Sequence, residues 1–321
     1  MPALLPLALL QMEQLVSIPY LQKRQMSDFN SIQAQTDFSK KQFRKIITFL
    51  VITFVFTSIF ELLIVFFNPT PLGKEKYVLG IVWSPGIAAL LVSRLYRKNL
   101  ADFGWHWGIP RYQLWSYVIP FLYTSAAYLA TWISGLGAFY NADSVQKIAK
   151  DYGWTTLPPS LVITLYAVFS GTLGILEACP PALGEEIGWR GFLVPELAKT
   201  TTFFNTALIS GAAWALWHYP LIIFGGYNGG TSIPYSLFCF TLAVIAISFP
   251  MAWLRLKSGS LWTGMIFHAS DNLFIQNVFN PLTRDTGITK YITGEFGIAL
   301  AITSLIAGYI FWMRRQHLQR S

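Results

Sequence analysis

The chain is short of charge. Only 12% of its 321 residues are Asp, Glu, Lys or Arg, about half of the ~25% carried by soluble domains. A water-soluble fold of this length needs more charged surface. Cysteine is nearly missing too: Cys179 and Cys239 are the whole supply, which excludes a disulfide-stapled secreted scaffold. No internal repeat or low-complexity tract stands out. The low charge and an aromatic content of 16% exclude disordered, collagen-like and coiled-coil classes. What the chain does have is apolar residues, at 54%, and a mean hydropathy of +0.46. The expected fold class is all-α, a polytopic membrane helix bundle.

A membrane-spanning helix needs ~20 mostly apolar residues. About eight stretches qualify or nearly qualify: 46–67, 77–95, 114–136, 161–176, 203–224, 234–256, 261–279 and 296–312. The expected organisation is an N-terminal tail over 1–45, N-terminal membrane helices over 46–160, a core over 161–279, and a last helix with its tail over 280–321. Met1–Leu10 is apolar but short and follows no basic residue, so it fails the signal-peptide pattern. A start at Met26, opening an ordinary polar tail, is an equal alternative. With both ends taken as cytoplasmic, 17 of the 23 Lys and Arg residues fall on the inner side and six on the outer, as the positive-inside rule requires. Arg190 is the one inner charge that burial would remove from this tally. The +8 net charge then reflects topology and contact with anionic lipid. The basic residues are dispersed over many loops, so nucleic acid is not an expected partner.

Ionisable and amide groups at membrane depth are costly, and they mark function. They cluster in Gly184–Leu193 (GEEIGWRGFL), Trp214–Pro220 (WALWHYP) and Phe267–Asn272 (FHASDN). Glu186 and Arg190 are four apart, so on a helix they share a face and pair. Glu185 lies about 100° away. Without a cationic partner it is free to face a cavity and act as a general base. His218 ends an apolar helix, with Trp214 one turn before it. His268 and Asn272 are four apart and project to one side, and Asp271 can reach the same side. Taken singly, each cluster has a plain structural reading: a helix-end ion pair, a satisfied histidine, an interhelical hydrogen bond. Taken together, they put Glu185, His218, His268 and Asn272 on three helices of one bundle. That set can deprotonate a water and stabilise an oxyanion. Alternatively, Glu185, His218 and His268 can ligate a divalent metal such as zinc with an open water position. Both routes lead to amide hydrolysis within the membrane.

The order Glu-Glu-x-x-x-Arg, aromatic-x-x-x-His, His-x-x-x-Asn resembles the CPBP intramembrane proteases. That family includes CAAX prenyl endopeptidases and the bacterial Abi, or bacteriocin-processing and self-immunity, proteins. The match runs roughly over 161–279, and Trp189 and Trp214 stand where the family often has Phe. The resemblance implies that Glu185 activates water, His218 helps hold it, and His268 with Asn272 forms the oxyanion pair. Glu186 and Arg190 match the family's structural pair. Metal-dependent and metal-free mechanisms both remain open. The implied partners are a peptide or membrane-protein substrate and the lipid bilayer, and the implied location is the plasma membrane. Other intramembrane proteases fit worse, because the chain has no HExxH, no GxGD and no GxSG. Two other readings stay in view. One is a non-catalytic scaffold or bacteriocin self-immunity protein. The other is a proton-coupled transporter using the buried Glu and His. Glu61, within the first span, is expected to make a helix-to-helix hydrogen bond.

Overall fold

The structure is a computed structural model that describes residues 5–67 and 71–318, with the side chains of Phe29, 33–67 and 73–318. The first four residues and the side chain of Met26 lie outside that description, and so does the choice of start residue. The backbone forms two units, 1–45 and 46–321. Helix α1 (Leu5–Phe67) ends within the second, which holds the candidate site.

The chain is helical nearly throughout. α2 (Pro71–Leu95) leads through a 3-10 turn at Leu100–Phe103 to α3 (Pro110–Ser134) and the short α4 (Ala142–Asp151). α5 (Pro159–Thr172) breaks at Leu173–Gly174. α6 (Ile175–Glu186) then passes into a π-helix over Ile187–Leu193 and on into α7 (Val194–Ala198). α8 (Phe203–Phe224) and α9 (Ile233–Ser258) follow. α10 (Trp262–Asn272) runs into a second π-helix, Leu273–Phe279, and then the single turn α11 (Asn280–Leu282). The one-turn α12 (Thr289–Ile292) precedes α13 (Ile298–Met313). The strand pair found among the described residues joins Ala138–Phe139 antiparallel to Thr283–Arg284.

Among the described residues, six helical runs are long and apolar enough to cross a membrane: Gln33–Phe67, Gly73–Leu95, Pro159–Ala198, Phe203–Phe224, Ile233–Ser258 and Ile298–His317. The other two expected spans, 114–136 and 261–279, are also helical, as α3 and as α10 with its π extension. They fall short in hydropathy because they carry Ser116, Thr124 and Thr131 in one and His268, Asp271 and Asn272 in the other, groups turned toward the bundle. The tally from the sequence counts Arg190 among the inner charges unless it is buried. The structure buries all of Gly184–Val194 inside one long helical run. Arg190 is therefore no loop charge, and the inner tally becomes sixteen of the Lys and Arg residues.

Small residues let this run approach its neighbours. A Cβ on Gly184 would lie 2.8 Å from the carbonyl oxygen of Val82, and one on Gly188 would lie 2.5 Å from the Cβ of Pro85. Gly184 and Gly188 form the small-x-x-x-small spacing that lets membrane helices close up, here onto α2. Gly264 does the same for α10: a Cβ there would sit 2.7 Å from Glu186 Oε2. The core beside these contacts is aromatic. Trp189, Phe192 and Phe103 are fully buried, with Phe49 edge-on to Trp189 at 5.7 Å.

Candidate active site

The site begins with the pair on α6 and its π continuation. Arg190 Nη1 donates to Glu186 Oε1 at 2.7 Å, and both side chains are fully buried. Two desolvated charges are tolerable only when well paired, and Arg190 finds further contacts. Its Nη2 donates to Ser248 Oγ on α9 at 3.4 Å, and its guanidinium lies 4.3 Å from the ring centre of Trp214. His268 of α10 adds a third member, with Nδ1 3.1 Å from Glu186 Oε1. Its own helix could approach because Gly264, one turn earlier, has no side chain. A carboxylate oxygen only accepts, so Nδ1 of His268 carries the proton. The structural pair of the sequence reading thus also orients the histidine.

Glu185 points elsewhere, as its place on the helix requires. It is 5% exposed, and Oε2 accepts from Trp214 Nε1 at 2.8 Å. That leaves Oε1 for a water. His218, half-buried one turn beyond Trp214, has Nδ1 3.0 Å from the Trp214 carbonyl oxygen. A carbonyl only accepts, so Nδ1–H donates, and Nε2 remains as a lone pair. Trp214 therefore touches three of the candidate groups: its indole N–H holds Glu185, its carbonyl holds His218, and its ring packs against His268 with centroids 5.1 Å apart. Sequence reading assigned it only a packing role. The available signal was an indole N–H inside an apolar helix, which has to find an acceptor.

Glu185, His218, His268, Asp271 and Asn272 all line one cavity of about 430 Å³. Every catalytic candidate from the sequence therefore reaches the same space, from α6, α8 and α10. Glu186 and Arg190 stand behind it. Asp271 accepts a hydrogen bond from the Tyr123 hydroxyl of α3, so its side chain is committed to the bundle. Among the described residues, no three His, Cys, Asp or Glu side chains converge closely enough to hold a metal ion. Glu185, His218 and His268 therefore do not form the three-ligand set that the sequence allowed. Glu61 is buried, but its Oε1 has no hydrogen-bond partner among the described residues, so the expected helix-to-helix bond is not made through that atom.

Residues 167–274 match the family model of the type II CAAX prenyl endopeptidases, Rce1-like. That stretch, about a third of the chain, is similar to the Rce1-like endopeptidases. The matched stretch contains all six site residues, from Glu185 to Asn272. Over 132 residues the chain is 31% identical to CAAX prenyl protease 2 of Methanococcus maripaludis, an alignment covering 39% of this chain and 45% of that protein. The chain thus spans about half the length of the curated relative it matches. The family match ends at residue 274, and part of the cavity wall comes from beyond it.

Proposed function

We propose that this chain is a multi-pass membrane endopeptidase in which Glu185 activates the attacking water. The observation that carries the reading is the contrast between neighbours. Glu186 is neutralised by Arg190, while Glu185 has no cationic partner on its helix and faces the cavity shared with His218, His268 and Asn272. The water gives a proton to Glu185 Oε1 while its oxygen bonds to the peptide carbonyl carbon. His218 Nε2 accepts the water's second hydrogen and fixes its direction. Asn272 donates to the developing oxyanion. His268 joins it from Nε2 when its ring carries both protons, with Nδ1–H already resting on Glu186. Collapse breaks the C–N bond, and the proton on Glu185 passes to the leaving nitrogen. Loss of one oxyanion donor costs on the order of 10²–10³ in rate.

The substrate is a peptide or membrane protein presented within the bilayer. CAAX prenyl substrates, the class in the Methanococcus relative's name, are the first to offer it. Both termini are assigned to the cytoplasmic side on the distribution of Lys and Arg, and the family resemblance suggests the plasma membrane.

The test uses host cells lacking the protein, restored with wild type or Glu185→Gln at matched membrane levels. New peptide termini should be present with wild type and missing with Glu185→Gln. If no terminus depends on Glu185 while the variant still rescues the deletion phenotype, the chain is a scaffold or immunity protein and the proposal fails.

A further inference from the structure

Three side chains that no catalytic motif includes meet on the cavity wall. Tyr227 stands nine residues after His218, in the connection between α8 and α9. Gln276 stands four residues after Asn272, on the π extension of α10. Glu295 comes from the connection before α13. Both Gln276 and Glu295 lie beyond the end of the family match. All three line the cavity. The Tyr227 hydroxyl donates to Glu295 Oε2, and Gln276 Nε2 donates to Glu295 Oε1.

One arm of this bridge ends at a catalytic candidate, and the other on a helix that carries two more. The Tyr227 ring lies near-parallel to the imidazole of His218, with centroids 6.2 Å apart and 27° between planes. Phe296, next to Glu295, packs edge-on against the same tyrosine at 5.0 Å. Gly229 allows this fit, since a Cβ there would lie 2.9 Å from the Phe296 ring. The other arm joins the helix that carries His268 and Asn272. One carboxylate therefore spans the gap between the water-holding side and the oxyanion side.

We infer that Glu295 is a positioning residue that sets the distance between His218 and the His268–Asn272 helix, through Tyr227 and Gln276. Both carboxylate oxygens are spent on these donors, so its role is to brace the cavity wall. Partners of this kind orient catalytic groups, and their loss costs ~10–100-fold. The inference rests on the endopeptidase reading for its effect on rate. Its geometry is independent of that reading.

The test takes a peptide spanning a Glu185-dependent terminus and the full-length protein. E295Q preserves the bridge, because its carbonyl accepts from Tyr227 and the Gln276 amide, turned over, accepts from the new N–H. E295A removes the bridge, and Y227F removes one arm. E295Q should keep kcat within about threefold of wild type. E295A and Y227F should each lower kcat about tenfold with KM within about twofold. The double variant should be no slower than E295A, because both changes break one unit. Wild-type turnover by E295A, additive losses, or E295Q as slow as E295A would each overturn the inference.

A second measurement needs no activity. In a Cys179→Ser, Cys239→Ser background, H218C is alkylated by a membrane-permeant maleimide with and without E295A. Release of Tyr227 should speed the reaction about fivefold, the signature of a locally opened segment. Equal rates would overturn the bridge. If no terminus depends on Glu185, the endopeptidase reading fails alone, and the alkylation rates still decide the role of Glu295.

Discussion

Glu185 and Glu186 are adjacent and chemically identical, yet their surroundings divide them. A step of one residue on a helix turns a side chain by about 100°. That rotation sends Glu186 to Arg190 and His268, and Glu185 to Trp214 and the cavity. This division was legible from the Glu-Glu-x-x-x-Arg spacing alone. The part of Trp214 was not, because a tryptophan in an apolar helix is read as packing until its N–H partner is located. Trp214→Phe keeps the ring against His268 and Arg190 but removes the donor to Glu185. It should lower turnover about tenfold, as for other orienting partners, while the amount of folded protein stays unchanged. Cleavage assayed beside a thermal unfolding scan checks both halves. Full activity in Trp214→Phe would remove the indole from the machinery.

At the level of elements, the site depends on helices that come unusually close. The π-helix over Ile187–Leu193 and that over Leu273–Phe279 both adjoin site residues, and such wide turns are frequent at functional sites. Neither was legible in the sequence, since a local insertion in the hydrogen-bond ladder has no composition signal of its own. The close approach was readable in principle from Gly184-x-x-x-Gly188. Gly188 faces Pro85 so tightly that any side chain displaces backbone. Gly188→Val should destabilise the protein by about 1–3 kcal/mol, the usual cost of overpacking. Gly171 of α5 is the control: its nearest neighbours would lie 3.8 Å from a new Cβ, so Gly171→Ala should be tolerated. Paired thermal scans in detergent test the contrast, and equal midpoints would contradict the close packing of α6 on α2.

Across the whole molecule, several of the basic connections lie together. Lys98 and Lys199 both pair with the buried Glu196, at 2.7 and 2.5 Å. Burial pulls the Lys98 ammonium below the usual lysine range, and its hydrogen bond and charge pairing with Glu196 oppose that loss of charge. Arg255 donates to the carbonyls of Arg190, Asp102 and Phe103, and Lys257 to that of His317. Four segments distant in sequence therefore meet at a common end. In the proposed orientation that end faces the cytoplasm. Cysteine placed at Lys199 should resist a membrane-impermeant thiol reagent added outside intact cells, while cysteine at Lys147 should react. The opposite pattern would invert the proposed orientation.

The sequence by itself determined the class of the molecule and picked out the candidate site residues. Little charge and long apolar runs leave a membrane bundle as the expected class, and polar groups at that depth are conspicuous because each one is expensive to bury. Spacing within a helix also separated Glu185 from the Glu186–Arg190 pair, since helical geometry is local. Only the tertiary structure decided which groups act together across helices. It tied His268 to Glu186, gave Trp214 its hold on Glu185, and brought Glu295 between Tyr227 and Gln276. Those relations join residues up to 82 positions apart, and they follow from how closely glycine lets the helices pack. No pattern within a single segment encodes that distance.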